Sequence, residues 1–444
     1  MSPLFFVVLG IALVVDALYW HVRFLRAIRR RPVPPQPLDG YPSVSVIRPV
    51  RGRDVDAEAN FAAALDNGYP GQVETIFVVD DLDDPALPLL RDAVAAHQAA
   101  GGHGTARVIV GGHPPAHRTG KLNAMMAGMR VARGELVAFG DSDSRPDRDV
   151  LRILADTLLA TPKAGCAFAP VVVPRPAEKA GDLGYALMIN GLYGPAVALA
   201  AYQTGDLPFI MGQLMLFRRD ALAAIGGLAS ADGHLVDDMR LGACLAEAGW
   251  RNIPSYHPLP IMTGGMDVPT FLKLMRRWLF FQKAGLPLAF TLPLWMRGIV
   301  FGLGIVLSVW AIAAGYPLIA MVPFLGTVAI AWSIATLHQA FGGAPVALRH
   351  AWVPLGLLLA APIAQAAVLL NPSVRWRGRD YALDSDARLE GWGGATHSEP
   401  GQAGGGFDAD DDQGYDPSMG HVPAPIAFHH HHKSPGGFRS PVRY

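Results

Sequence analysis

The chain has 444 residues, of which 51% are hydrophobic and only 17% charged, with Lys plus Arg equal to Asp plus Glu at 37 each. A soluble domain carries about 25% charged residues, so the deficit points to lipid contact, while the zero balance names no partner and no nucleic acid is expected as one. Cys166 and Cys244 are the two cysteines, in neither a CxxC nor a zinc-finger spacing, and are expected to be buried free thiols rather than a disulfide framework.

Pro3 to Trp20 is an apolar run broken only by Asp16, long enough to cross a bilayer as a helix. The basic residues Arg23, Arg26, Arg29, Arg30 and Arg31 follow it. That order favours an uncleaved anchor (residues 1–22) over a secretory signal, with the basic side cytoplasmic. Residues 32–42, PVPPQPLDGYP, form the Pro-rich end of a linker that starts at 23. From Ser43 short β-branched runs alternate with helical stretches. VSVIR at 44–48, ETIFVVD at 74–80, ARVIV at 106–110 and ELVAFG at 135–140 read as buried strands, and 85–99 and 122–133 as helices between them. The fold class is therefore α/β, a mostly parallel sheet covered on both faces, with ligands expected at the carboxyl ends of the strands.

Chemistry-bearing residues sit at those ends. In FVVDDLDDPA (77–86), Asp81 is a candidate to accept a hydrogen bond from a uracil ring, though a strand-end carboxylate is equally a turn former or helix cap. HRTGKLNAMMAGM (117–129) puts Lys121 at a helix start, within reach of a phosphate. GDSDSRP (140–146) follows a strand directly, and Asp141 and Asp143 suit Mn2+ or Mg2+ bound jointly with a leaving diphosphate. LGYALMINGLYGPAVALAAYQTG (183–205) is nearly uncharged and reads either as a core helix or as the lining of a slot for acyl chains. HLVDDMRLGACLAEAGW (234–250) starts a helix with Asp237 and Asp238; they either offset the helix dipole or supply the base that an acceptor hydroxyl needs. TFLKLMRRWLFFQKAG (270–285) carries Arg276, Arg277 and Trp278 among aromatics, as an interfacial helix would, and its arginines could also grip a diphosphate.

Beyond residue 285 the chain turns apolar. Ile299–Ala314, Pro317–Leu337 and Ala351–Leu370 are spanning candidates, with Pro287–Met296 a shorter one, so 286–372 is expected to be transmembrane or re-entrant. Three spans starting inside would finish outside, although the arginines of NPSVRWRGRDY argue for a cytoplasmic end; either Pro287–Met296 also crosses or one run is re-entrant. Residues 373–444 are expected to form a cytoplasmic disordered tail, in which His429–His432 is a solvated low-complexity run.

Taken in order, strand–Asp, Gly-Lys-x-Asn, Asp-x-Asp, Asp-Asp and Arg-Trp resembles the GT-A glycosyltransferases of families 2 and 21, above all ceramide glucosyltransferases and their bacterial relatives, over about residues 43–285 plus the flanking anchors. The resemblance implies a Rossmann-like GT-A domain and an inverting hexosyltransferase of a bacterial inner membrane, its catalytic domain cytoplasmic. It implies a UDP-sugar donor, usually UDP-glucose, a lipid acceptor such as ceramide, and Mn2+ or Mg2+. Asp81 matches the nucleotide-contacting aspartate, Asp141 and Asp143 the metal motif, Gln213 in IMGQLMLFRR the strand lining the donor sugar, and Asp238 the base. Arg277-Trp278 matches the end of the family's last motif, whose first position here is Leu274 in place of Gln or Arg. A processive polysaccharide synthase shares these catalytic parts but threads its polymer through more helices than this chain offers; hopanoids and glycerolipids are alternative acceptors.

Overall fold

The computed structural model describes residues 2–30, 36–115, 117–285, 288–370, 373–376, 379–382 and 388–389. Helix α1 (Pro3–Arg29) outlasts the expected anchor by about two turns, and residues 31–35, which include the start of the Pro-rich stretch, lie outside the described residues. Then follow β1 (Val44–Pro49), α2 (Ala57–Leu65), β2 (Val73–Val79), α3 (Leu87–Ala99), β3 (Thr105–Val110), α4 (Gly120–Val131), β4 (Leu136–Gly140), α5 (Val150–Ala160), β5 (Ala164–Phe168) and the short β6 (Val171–Val172). The apolar segment becomes α6 (Ala180–Ala186), a π-helical stretch at Leu187–Tyr193, and α7 (Gly194–Thr204). Strand β7 (Leu214–Arg218), α8 (Arg219–Ala224), α9 (Asp237–Glu247), β8 (Arg251–Pro254) and β9 (Leu259–Pro260) complete the domain. After it come α10 (Val268–Gly285), α11 (Leu288–Ala313), α12 (Met321–Ala340), α13 (Val353–Leu370), β10 (Ser373–Trp376) and β11 (Arg379–Ala382).

Seven strands form one sheet in the order β3-β2-β1-β4-β7-β5-β8, in which β7 alone runs against its neighbours. Alternation along β2 shows why both faces are covered. Phe77 and Val79 pack with Phe61 of α2 and Leu87 and Leu90 of α3, whereas Ile76 and Val78 belong to the core that holds Leu122 and Met125 of α4. Cys166 and Cys244 are buried and free, and burial pushes the Cys166 thiol up.

Five helical segments among the described residues are long and apolar enough to cross a membrane. One of them, Ala180–Thr204, is mostly buried inside the domain. Helices α1, α11 and α12 pack side by side: Phe6 meets Trp310 edge to face, and a Cβ on Gly10 would fall 2.6 Å from Pro323 N, so glycine lets the backbones of α1 and α12 approach. Asp16, the charge inside the first apolar run, lies 3.7 Å from Arg297 of α11. Residues 288–296 are the start of α11 rather than a separate crossing. Helix α13 joins at its start, through Val353 and Leu357, the large core that the sheet shares with α1, α11 and α12, and at its end, through Val368, the cluster of Leu235 and Phe280.

The expected tail also needs correction. It begins with the β10–β11 pair, Tyr381 is 4% exposed, and Leu389 N donates to Gly233 O at 2.8 Å. Two four-residue strands carry too short a pattern to be read from composition. Residues 390–444, with His429–His432, lie outside the described residues.

Candidate active site

The turn leaving β4 carries Asp141 and Asp143, and it is held from three sides. Asp141 N donates to Gln213 O (2.9 Å), Met262 N donates to Asp143 O (3.1 Å), and the Arg48 guanidinium donates to Ser144 O (3.0 Å), Ser144 Oγ (2.9 Å) and Asp141 O. Arg48 is 1% exposed; burial draws its pKa down to about 10 against the pull of Asp141, Asp143 and Asp54, so it stays charged at neutral pH. Sequence reading missed this residue because Arg48 closes a run read only as a buried strand, with no motif to single it out.

Lys121, in the first turn of α4, reaches Asp141 Oδ1 at 2.6 Å and donates to Gly212 O at 3.2 Å. Burial disfavours its cation, but Asp141, Asp237 and Asp238 outweigh burial and its pKa is raised. Asp237 and Asp238 occupy the first turn of α9. A Cβ on Gly212 would fall 2.5 Å from Asp238 Oδ2, so a glycine is required beneath this carboxylate. Burial, with the Asp237 charge behind it, pushes Asp238 up to about 7; burial also raises Asp237, with Lys121 opposing. Asp237 Oδ2 and Gln213 Oε1 are buried and have no hydrogen-bond partner among the described residues.

These groups line one cavity of about 250 Å³. Its polar part is formed by Arg51, Asp80, Lys121, Asp141, Asp143, Gln213, Asp237, Asp238 and Arg277. Its apolar part contains Tyr185, Tyr193, Val197, Phe209, Met211, Leu235, Trp278, Phe281 and Tyr381. Burial raises the pKa of Tyr185 and Tyr193, keeping both phenols neutral. On α10 the lining residues Leu274, Arg277, Trp278 and Phe281 stand at i, i+3, i+4 and i+7, one stripe of the helix.

Two expected residues lie elsewhere. Asp81 is not among the cavity residues: Asp80 lines the wall, 3.2 Å from Arg51, while Asp81 Oδ1 accepts from Asp83 N (2.9 Å) in the following turn. Arg276 falls off the stripe and donates to Ser373 O at 3.0 Å.

Residues 5–389 match the sequence family described as Glycosyl transferase family 21. The chain belongs to that family. The family 21 chain is 23% identical over 361 residues to Ceramide glucosyltransferase 3 of Caenorhabditis elegans, covering 80% of itself and 74% of that relative. It is 23% identical over 269 residues to Ceramide glucosyltransferase 1 of the same organism, spanning 60% of itself and only 55% of that protein's length. Among solved structures it resembles the mannosyltransferase PcManGT from Pyrobaculum calidifontis in complex with GDP-Man and Mn2+, with a TM-score of 0.50, 20% identity, and coverage of 81% of this chain and 99% of that one. That likeness is one of fold and makes the catalytic domain GT-A-like; the family makes the protein a hexosyltransferase.

The residues present fit a hard divalent ion. Asp141 and Asp143 both line the cavity directly after β4, two positions apart. No group of three or more His, Cys, Asp or Glu side chains among the described residues forms a cage. Two strand-end carboxylates completed by phosphate oxygens are the usual arrangement for Mg2+ or a similar ion.

Proposed function

We propose that this family 21 transferase moves one hexose, glucose first among candidates, from a UDP-sugar to a hydroxyl of a membrane lipid such as ceramide, with inversion and on the cytoplasmic face. The observation that carries this reading is the cavity itself: carboxylates and cations suited to a nucleotide sugar share one space with an aromatic, apolar wall, beside helices of membrane-spanning length. The curated relatives' names support the sugar and the lipid, and the arginines that follow the first apolar run support the orientation.

In this reading Asp80, rather than Asp81, takes the uracil N3–H at the end of β2, because Asp80 is the one that lines the cavity. Asp141 and Asp143 would hold Mn2+ or Mg2+, which when bound neutralises the diphosphate. Arg48 keeps the turn carrying both carboxylates in place, and Lys121 and Arg277 supply positive charge toward the leaving group. Gln213 Oε1 offers an acceptor to a sugar hydroxyl. Asp238 takes the acceptor's proton as the new bond to the anomeric carbon forms, the old bond breaks through an oxocarbenium-like state, and UDP leaves with the electron pair. Asp237, deeper and without a partner for Oδ2, keeps the negative field that favours proton uptake.

The test offers the enzyme in detergent each of UDP-glucose, UDP-galactose and UDP-N-acetylglucosamine with ceramide, diacylglycerol or a hopanoid polyol, and weighs the products. A lipid one hexose heavier is expected. Transfer solely to water-soluble sugars, or growth of a polymer, would refute the proposal.

A further inference from the structure

The chain that follows α13 touches the catalytic centre at two places. Tyr381 of β11 lines the same cavity as Asp238 and Trp278, and it shares an apolar cluster with Leu235, Phe280, Val368 and Leu389. The second contact is to the backbone just ahead of α9. Leu389 N donates to Gly233 O at 2.8 Å, and Arg388 forms a bridge with His234. Residues 233–236 lead directly into Asp237 and Asp238. From the opposite side this segment is tied to the start of α4, by Gly233 N to His117 O (2.9 Å) and by the paired 2.6 Å contacts of Arg118 with Asp232. The segment that delivers both carboxylates is thus clamped between the α4 loop and the end of the described chain. Arg276 fixes the far end of the pair through Ser373 O, which gives a use to an arginine pointing away from the cavity.

We propose that Tyr381 is a specificity-determining wall of the acceptor site, against which the lipid's apolar chain lies, and that β10–β11 with Leu389 positions the segment bearing Asp237 and Asp238. The inference rests on reading the aromatic half of the cavity as the acceptor slot. A tyrosine suits this place because its ring offers a broad apolar surface at low entropic cost while its hydroxyl tolerates a polar rim. The wall comes from outside the transferase domain proper, so acceptor choice can change through it without disturbing the donor residues that follow β2 and β4.

The experiment uses the full chain in detergent with ceramide and UDP-glucose, and measures apparent KM for each substrate together with UDP affinity in Mn2+. Tyr381→Ala is expected to raise the lipid KM about tenfold, the scale of losing a large aromatic contact, and to leave UDP affinity within about twofold. Tyr381→Phe should restore the lipid KM, and removal of residues 391–444 should change neither constant. Tyr193→Ala serves as the control for the slot itself. If Tyr193→Ala raises the lipid KM and Tyr381→Ala does not, the proposal is wrong while the slot reading stands. If neither does, the slot reading fails and takes the proposal with it. Parallel loss of UDP affinity in Tyr381→Ala and Tyr381→Phe would make the residue structural and also overturn it.

Discussion

To act as the proposed base, Asp238 must carry a negative charge in a place where burial and Asp237 both oppose it. Its ionisation through about pH 7 should appear as a fall in kcat toward acid pH, while Asp238→Asn should keep UDP affinity and lose at least about a hundredfold in kcat, the scale of general-base catalysis. The same shift has a stability cost of defined sign. A carboxyl whose folded pKa lies above its unfolded value of about 3.9 favours the fold below that value, and the benefit is lost as pH rises through about 7. The Asn variant should therefore melt above the wild type at pH 8 and level with it near pH 4, as followed by thermal denaturation in detergent; a variant that melts lower at pH 8 would count against a strained base. At this scale the sequence was legible in type more than in pointing. Asp80 and Asp81 differ by one position at a strand end, where successive side chains face opposite ways, and no composition tells where the strand stops. Arg276 and Arg277 differ by about 100° around a helix, yet here the stripe of Leu274, Arg277, Trp278 and Phe281 does pick out the lining residue.

Among the elements, the four parallel strands were readable because short β-branched runs set between helical stretches pack well only as strands of a sheet covered on both faces. The apolar stretch at 183–205 was not, since a buried helix and a slot wall share one composition. The structure buries the stretch and lets part of it line the cavity. Leu187 is fully buried and absent from the cavity wall, while Tyr185, Tyr193 and Val197 line it around the π-helical turn, a distortion that frequently marks functional sites. Val197→Asp is accordingly expected to raise the lipid KM with the donor KM retained. Leu187→Asp should instead cost the folded protein, because an unpaired buried charge has no compensation. Size-exclusion profiles and the two KM values separate these outcomes, and identical behaviour of the two variants would contradict the assignment of the wall. Tyr381 had no signal at all: its strand becomes meaningful only once α13 has carried it back to the domain.

For the molecule as a whole, we propose that α13 returns to the side of the membrane from which it starts, which assigns a side to each loop. Leu318, 81% exposed between α11 and α12, should face away from the catalytic domain, whereas Leu348 and Leu370, 91% and 87% exposed, should share its side. Single cysteines at these positions, against a background in which Cys166 and Cys244 are buried, can be probed on intact spheroplasts with an impermeant maleimide. Labelling of Leu318→Cys alone is expected, with Leu348→Cys and Leu370→Cys reacting only after permeabilisation. Labelling of Leu370→Cys from outside would make α13 a crossing and detach Tyr381 from the site. In the proposed function, anchor, sheet and α13 serve one chemical event in one cavity, a metal-assisted displacement by a lipid hydroxyl. The most direct measurement is the NMR structure of the product formed by the purified chain from UDP-glucose and ceramide with Mn2+, repeated in EDTA. A single β-linked glucose on the lipid, absent in chelator and recovered on adding Mn2+, is the expected result; an α linkage, a polymer, or an undiminished yield in EDTA from metal-free protein would contradict it.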